Sequence, residues 1–160
     1  MERPGRNEKQ IPCLARNAVD ILVVVERDAV SLRAVDRFPK LKLLYAECQI
    51  GWIPYFIERA DDTWETHQWA QGEKRIPNPP SYYYKQNMHG CFFKDTVGIE
   101  MLDKIGVDQV MFETDYPHQD GTFPHSRQVA EDLFGHLDAE SIHKIARGNA
   151  IELLGLDFEP

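Results

Sequence analysis

Gln109-Val110-Met111-Phe112-Glu113-Thr114-Asp115-Tyr116-Pro117-His118 runs an apolar stretch straight into a carboxylate and a proline. A short apolar run bounded by turn residues reads as a buried strand, and proline ends the pairing because it has no N–H to donate. We read that strand over residues 109–114. Upstream, residues 96–105 carry a helix ended by Gly106, a residue suited to the turn after a helix, and residues 90–94 form another candidate strand. The unit is strand, helix, strand.

The same unit extends outward. Leu41 to Glu47 reads as a strand, set off from what precedes it by Phe38-Pro39, since the residue before a proline avoids helical dihedrals. After it, Pro54 suits a first helical turn, and Ile53, Phe56, Ile57, Ala60 and Trp64 form an apolar stripe. Gln71 to Ser81, with Pro77, Pro79 and Pro80, reads as a long excursion, on which Tyr82, Tyr83, Tyr84 and Met88 either line an aromatic pocket or pin the loop down. Downstream, residues 126–137 form a helix, and Asp138 caps a last one that Gly155 closes. At the other end, Leu14, Ala18, Leu22, Val25, Ala29, Leu32 and Val35 recur at the spacing of one buried face, predicting a long helix behind a flexible polar leading segment, residues 1–12. Residues 13–160 read as a single domain. Strands alternating with helices imply an α/β architecture with parallel strands.

Composition narrows the function. Lys and Arg total 18 against 26 Asp and Glu, a formal charge of -8, so the chain offers no basic field for nucleic acid. The aliphatic run Ile21-Leu22-Val23-Val24-Val25 is far below the roughly 18 residues that span a bilayer, and the polar start resembles no secretory signal. The cytoplasm is the expected compartment. Cys13, Cys48 and Cys91 fit neither a disulfide framework nor a CxxC zinc knuckle and read as reduced core residues. The phosphate-binding patterns GxGxxG and GxxxxGK[ST] and the hydrolase elbow GxSxG are absent.

In parallel α/β folds the reactive groups lie at the carboxyl ends of strands, where Glu47 and Asp115 fall. Asp115 aimed at a pocket mouth can bind a divalent metal or take a proton from metal-bound water, with His118 on the same rim. The competing reading makes Asp115 a turn cap and His118 a solvated loop residue. Glu47 ends an apolar run and, if buried, needs a partner or a role, either ligation and proton transfer or orientation of its neighbours. Glu113, two residues before Asp115, shares its side of a regular strand and could support it. His89 reads as structural at the amino end of its strand, His67 as packed beside Trp64, and His125, His136 and His143 as surface groups.

A resemblance then becomes specific. Arg37-Phe38-Pro39-Lys40-Leu41-Lys42-Leu43-Leu44-Tyr45-Ala46-Glu47, Gly51-Trp52-Ile53-Pro54, Thr114-Asp115-Tyr116-Pro117-His118 and Arg147-Gly148-Asn149-Ala150 together resemble the carboxyl-terminal half of an amidohydrolase-related enzyme. The branch is the one similar to aminocarboxymuconate semialdehyde decarboxylase, over about residues 37–157. The resemblance implies a partial (β/α)8 TIM barrel, about the last three βα units preceded by a long helix. It also implies a metal-dependent hydrolase or nonoxidative decarboxylase, with zinc or manganese as cofactor and a small carboxylic substrate, aromatic or unsaturated. Asp115 would be the aspartate after the eighth strand, a metal ligand or the catalytic base and acid. Glu47, Glu113, His118 and Trp52 are the candidates for substrate contact or for supporting Asp115. This sequence departs from the decarboxylase pattern in carrying Glu47 where a histidine follows the sixth strand. It also lacks the His-x-His pair after the first strand and the histidine after the fifth.

A complete barrel takes about 250 residues, so a chain of 160 is expected to be a fragment whose bare sheet edge drives homo-oligomerisation. The rival expectation is a noncatalytic α/β domain that binds a partner or serves a structural role, with Glu47 and Asp115 in a polar network. A flavodoxin-like module would need a further central strand and a phosphate loop that the sequence lacks.

Overall fold

The computed structural model of the chain describes residues 32–67, 69 and 76–158. The leading segment 1–12, Cys13, most of the helix expected from Leu14, and residues 71–75 of the proline-rich excursion lie outside the described residues. Residues 32–37 are helical (α1), and Leu32 and Val35, the last two positions of the expected stripe, are buried.

Three parallel strands, β1 (Leu43–Tyr45), β2 (Met88–Phe92) and β3 (Val110–Phe112), form a sheet in the order β1-β2-β3. Between β1 and β2 lie α2 (Ile53–Thr66) and α3 (Pro80–Asn87), and between β2 and β3 lie α4 (Thr96–Glu100) and α5 (Leu102–Ile105). After β3 come α6 (Ser126–Phe134), α7 (Ala139–His143), a π-helical segment over Lys144–Gly148, and α8 (Asn149–Leu154). Parallel strands need crossovers, and the helices supply them.

Side chains alternate across the sheet, so register decides what each face does. Tyr45, Gly90 and Val110 stand in one row, and Phe92 pairs with Phe112 on the same side. Helices cover this face. Phe92 and Phe112 each meet Phe134 of α6 edge-on, with centroids 6.0 and 5.5 Å apart. At Gly90 a Cβ would lie 3.0 Å from Ile50 Cγ2 and 3.3 Å from Ile53 Cδ1, so a bare residue lets α2 approach. The opposite face carries Leu44, His89, Cys91 and Met111, and on it Leu44 is 43% exposed.

Two buried amides tie helices to strand ends. Asn87 Nδ2 donates to the carbonyls of Pro39 and Leu41 just before β1, and Asn149 Nδ2 to those of Val107 and Val110 at the start of β3. Asn149 belongs to one of the motifs that carry the family resemblance, and in this fold it holds α8 to β3.

Several expectations need correction. Met88 and the tyrosines are not on a loop: α3 begins at Pro80, where a missing N–H costs nothing, and Tyr83, Tyr84 and Met88 are buried in the core. The second strand begins two residues earlier than expected, so His89 sits within it and not before it. There it is half-buried, and burial, with the Lys42 charge added, pushes its pKa down. Met101 interrupts the helix expected over 96–105. The outer strands are shorter than expected at both ends, and past their carboxyl ends Glu47 and Asp115 adopt positive φ. His67 is exposed at the end of α2, bonded to Thr66 Oγ1. Trp64, by contrast, spends its indole N–H on the Ile76 carbonyl.

Candidate functional site

The loops at the carboxyl ends of the strands converge on a small acidic rim. Glu47, Gln49 and Asp115 all have left-handed backbone, with φ of 58°, 56° and 54°. Such values are uncommon outside glycine, and residues held in them cluster at functional sites.

Glu113 joins the first and third of these loops. Its Oε1 accepts the Glu47 N–H at 2.6 Å, while its own N–H donates to the Phe92 carbonyl at 2.8 Å. The carboxylate therefore reaches over the end of β2. Burial pushes its pKa up, the Glu47 N–H opposes this, and the charges of Glu47 and Asp115 add to the rise. Glu47 itself is exposed, so it needs no buried partner, contrary to the concern its sequence position raises.

Asp115 directs a nearly buried carboxylate at His118. The Asp115 side chain is 7% exposed and that of His118 63%, with Nδ1 and Oδ2 2.9 Å apart. A carboxylate only accepts, so Nδ1 carries the proton. This bond, reinforced by the charge on Asp115, raises the His118 pKa. The backbone turns the same way: the His118 N–H donates to the Asp115 carbonyl at 2.8 Å, and the Thr122 N–H to that of Thr114 at 2.9 Å. Gly121 makes this loop closable, since a Cβ there would stand 2.7 and 2.8 Å from the carbonyl oxygens of Thr114 and Asp115. Tyr116 and Phe123 pair edge-on across the loop at 4.8 Å, both largely exposed, and the Tyr116–Pro117 and Phe123–Pro124 peptide bonds are cis.

Trp52 works on the first loop. Its Nε1 donates to the carbonyls of Cys48 and Gln49, each at 3.0 Å, and its ring meets Tyr45 and Phe56 edge-on. Cys91 lies on the sheet face away from α2 and α6. Burial first, then Glu113 and Cys48, push its thiol up to about 12, so it stays protonated and is a poor nucleophile.

Asp95, Gln49 and Lys94 were not among the expected site residues, yet they lock the rim. Asp95 Oδ2 accepts the N–H groups of Ile50 and Gly51 at 2.6 Å each, and Oδ1 accepts that of Gly98 at 2.8 Å. The acid before Thr96-Val97-Gly98 is a readable helix-cap signal; its reach to Ile50 and Gly51 has no local signature. His118 joins Asp115 as expected, and Glu113 reaches Glu47 in place of aligning with Asp115. Among the described residues, no three His, Cys, Asp or Glu side chains are grouped so as to hold a metal ion. The residues described here thus do not fit a divalent metal by themselves.

A parallel α/β unit with its acids gathered at the carboxyl ends of the strands is the arrangement in which barrel hydrolases place their chemistry. The family model described as Amidohydrolase matches residues 20–156, and the chain belongs to that family, as the four motifs imply. Among solved structures, the chain is similar to 5-carboxyvanillate decarboxylase from Sphingomonas paucimobilis (TM-score 0.69, 20% identity), covering 86% of this chain and 40% of that one. It is also similar to an amidohydrolase from Mycobacterium avium subsp. paratuberculosis K-10 (TM-score 0.66, 24% identity; 89% of this chain, 37% of that). A third is dihydroxybenzoic acid decarboxylase from Polaromonas sp. JS666, with bound manganese and the inhibitor 2-nitroresorcinol (TM-score 0.56, 22% identity; 84% and 42%). The chain spans about two fifths of the length of each of these structures. No helix among the described residues is long and apolar enough to cross a membrane.

Proposed function

We propose that the chain forms the carboxyl-terminal strands of a (β/α)8 barrel and carries the acid of a metal-dependent hydrolase or nonoxidative decarboxylase. Its substrate would be a small carboxylic compound, aromatic or unsaturated. The observation that carries this is Asp115: a carboxylate that is 7% exposed, set in left-handed backbone just past a parallel strand and hydrogen-bonded to His118. Its backbone geometry matches neither strand nor helix, as expected of a group held for chemistry.

In decarboxylation Asp115 would first take up a proton from solvent or from His118 and then pass it to the carbon that loses carbon dioxide; in hydrolysis it would relay the proton of the attacking water. His118 holds the carboxylate in one orientation. Glu113 fixes the loop carrying Glu47, which leaves the exposed Glu47 carboxylate free to face polar substrate groups. A divalent metal is the cofactor this reading expects, and Asp115 is its candidate ligand among the described residues. The manganese of the Polaromonas enzyme makes that ion the first to supply.

The test incubates the protein and Asp115→Asn with manganese and a panel of hydroxybenzoates and lactones, following carbon dioxide release and ring opening. Turnover by the wild type that falls by about a hundredfold or more in the variant is expected for a general acid or base. Absence of turnover on every compound, or equal turnover by the variant, overturns the proposal. The noncatalytic reading draws on the lack of a three-residue metal cluster among the described residues, and the first of those results would favour it.

A further inference from the structure

The three loops at the carboxyl ends are tied in series through the turn that follows β2. Gln49 Oε1 accepts the N–H groups of Phe93 and Lys94 at 3.3 and 3.5 Å, and Asp95 accepts those of Ile50 and Gly51. These contacts seat the turn on the first loop. From the same turn Lys94 reaches the third loop, its Nζ donating to the carbonyls of Asp120 at 3.0 Å and Gly121 at 3.4 Å.

Those two carbonyls are on the far limb of the loop that carries Asp115. Gly121 lies directly against the Thr114 and Asp115 carbonyls, and its N–H donates to His118 O at 3.2 Å. An ammonium that gathers two adjacent backbone carbonyls holds that limb closed, and a movement of the limb would carry the Asp115–His118 turn with it. A lysine supplies three donors and a full charge on a flexible stem, which suits a pair of carbonyls without fixed geometry.

We propose that Lys94 is a positioning residue for Asp115: by clasping Asp120 and Gly121 it keeps the loop over residues 114–122 in the one conformation that sets the carboxylate against His118. This rests on the reading of Asp115 as the reacting acid. Lys94 acts through the loop backbone, so its removal alters where Asp115 is held, not which group transfers the proton.

The experiment compares Lys94→Met and Lys94→Arg with the wild type by amide hydrogen exchange. Lys94 is exposed, so either variant leaves the core intact. In Lys94→Met, exchange at His118, Gly121 and Thr122 should quicken about three- to tenfold, the range expected for losing a solvent-exposed charged donor, while Ile50 and Gly51 keep the wild-type rate. Lys94→Arg should restore most of the protection, because it keeps both charge and donors. Unchanged exchange in Lys94→Met overturns the proposal, as does acceleration spread equally to Ile50 and Gly51 or a failure of arginine to restore. In the turnover assay, Lys94→Met should lower kcat more than it changes KM. A wild type without turnover defeats the reading of Asp115 alone, and the exchange pattern still decides whether Lys94 pins the loop.

Discussion

Replacing Asp95 with alanine should unseat the first loop from the second. The carboxylate accepts three backbone N–H groups, two at 2.6 Å from Ile50 and Gly51 and one at 2.8 Å from Gly98. A hydrogen bond to a charged group contributes about 1.5–3 kcal/mol net, and losing a helix cap alone costs about 1 kcal/mol. The site is half-buried, so water can reach part of it once the side chain is gone, which keeps the total below the simple sum. A loss of about 3–4 kcal/mol is expected for Asp95→Ala and about 1.5–2.5 kcal/mol for Asp95→Asn, which keeps one acceptor oxygen. Urea unfolding followed by fluorescence of Trp52 and Trp64 measures the total. Amide exchange at Ile50 and Gly51 localises it, with protection there falling about a hundredfold for a local loss near 3 kcal/mol. A cost below about 1 kcal/mol for the alanine variant, or wild-type protection at Ile50 and Gly51, would refute the assignment of Asp95 as the clasp between the loops.

Other perturbations read other parts of the structure. The His118 imidazole should titrate above its ordinary 6.5 by NMR, and Asp115→Asn should return it toward that value. Because the folded pKa is raised, the His118–Asp115 contribution is complete below the ordinary histidine value and fades as pH climbs through the raised one; the opposite trend would contradict the geometry. Gly121→Ala should destabilise by about 1–3 kcal/mol by pushing a methyl into the Thr114 and Asp115 carbonyls, and a thermal melt unchanged from wild type would rule out that close approach. Asn149→Ala takes the amide donor from the Val107 and Val110 carbonyls and should cost about 1–3 kcal/mol, with Asn149→Asp worse because a carboxylate would face two acceptors. With Leu41 and Leu44 both exposed beside an unpaired strand edge among the described residues, the chain should self-associate, and a monomer throughout a sedimentation series to high concentration would exclude that.

The order of elements was legible because it depends on local chemistry. Pro54 at the start of α2, Asp138 accepting from Glu140 and Ser141 at the start of α7, and Gly155 with φ of 59° at the end of α8 each act within one turn of their own position. The apolar runs marked three strands for the same reason. Their lengths were less legible: the apolar runs extend past Tyr45 and Phe112, and a left-handed Glu47 or Asp115 has no signature in an apolar pattern.

Asp115 and His118 could be paired from the sequence because they stand only three positions apart with a proline between. The partnership of Glu113 with the Glu47 N–H spans 66 positions, and those of Gln49 and Asp95 across the loops span about 44, so only folding brings them together. The tyrosines of α3 show the same limit in reverse: a proline-rich approach reads as a loop, but the space between α2 and β2 accepts a helix that buries Tyr83 and Tyr84. The sequence by itself determined the class of fold, the family and the acid that follows the last strand, since periodicity, caps and short motifs are properties of neighbours along the chain. The tertiary structure alone decided which groups hold that acid in place, because a hydrogen bond between distant loops depends on strand register and on how closely glycines let the backbone approach.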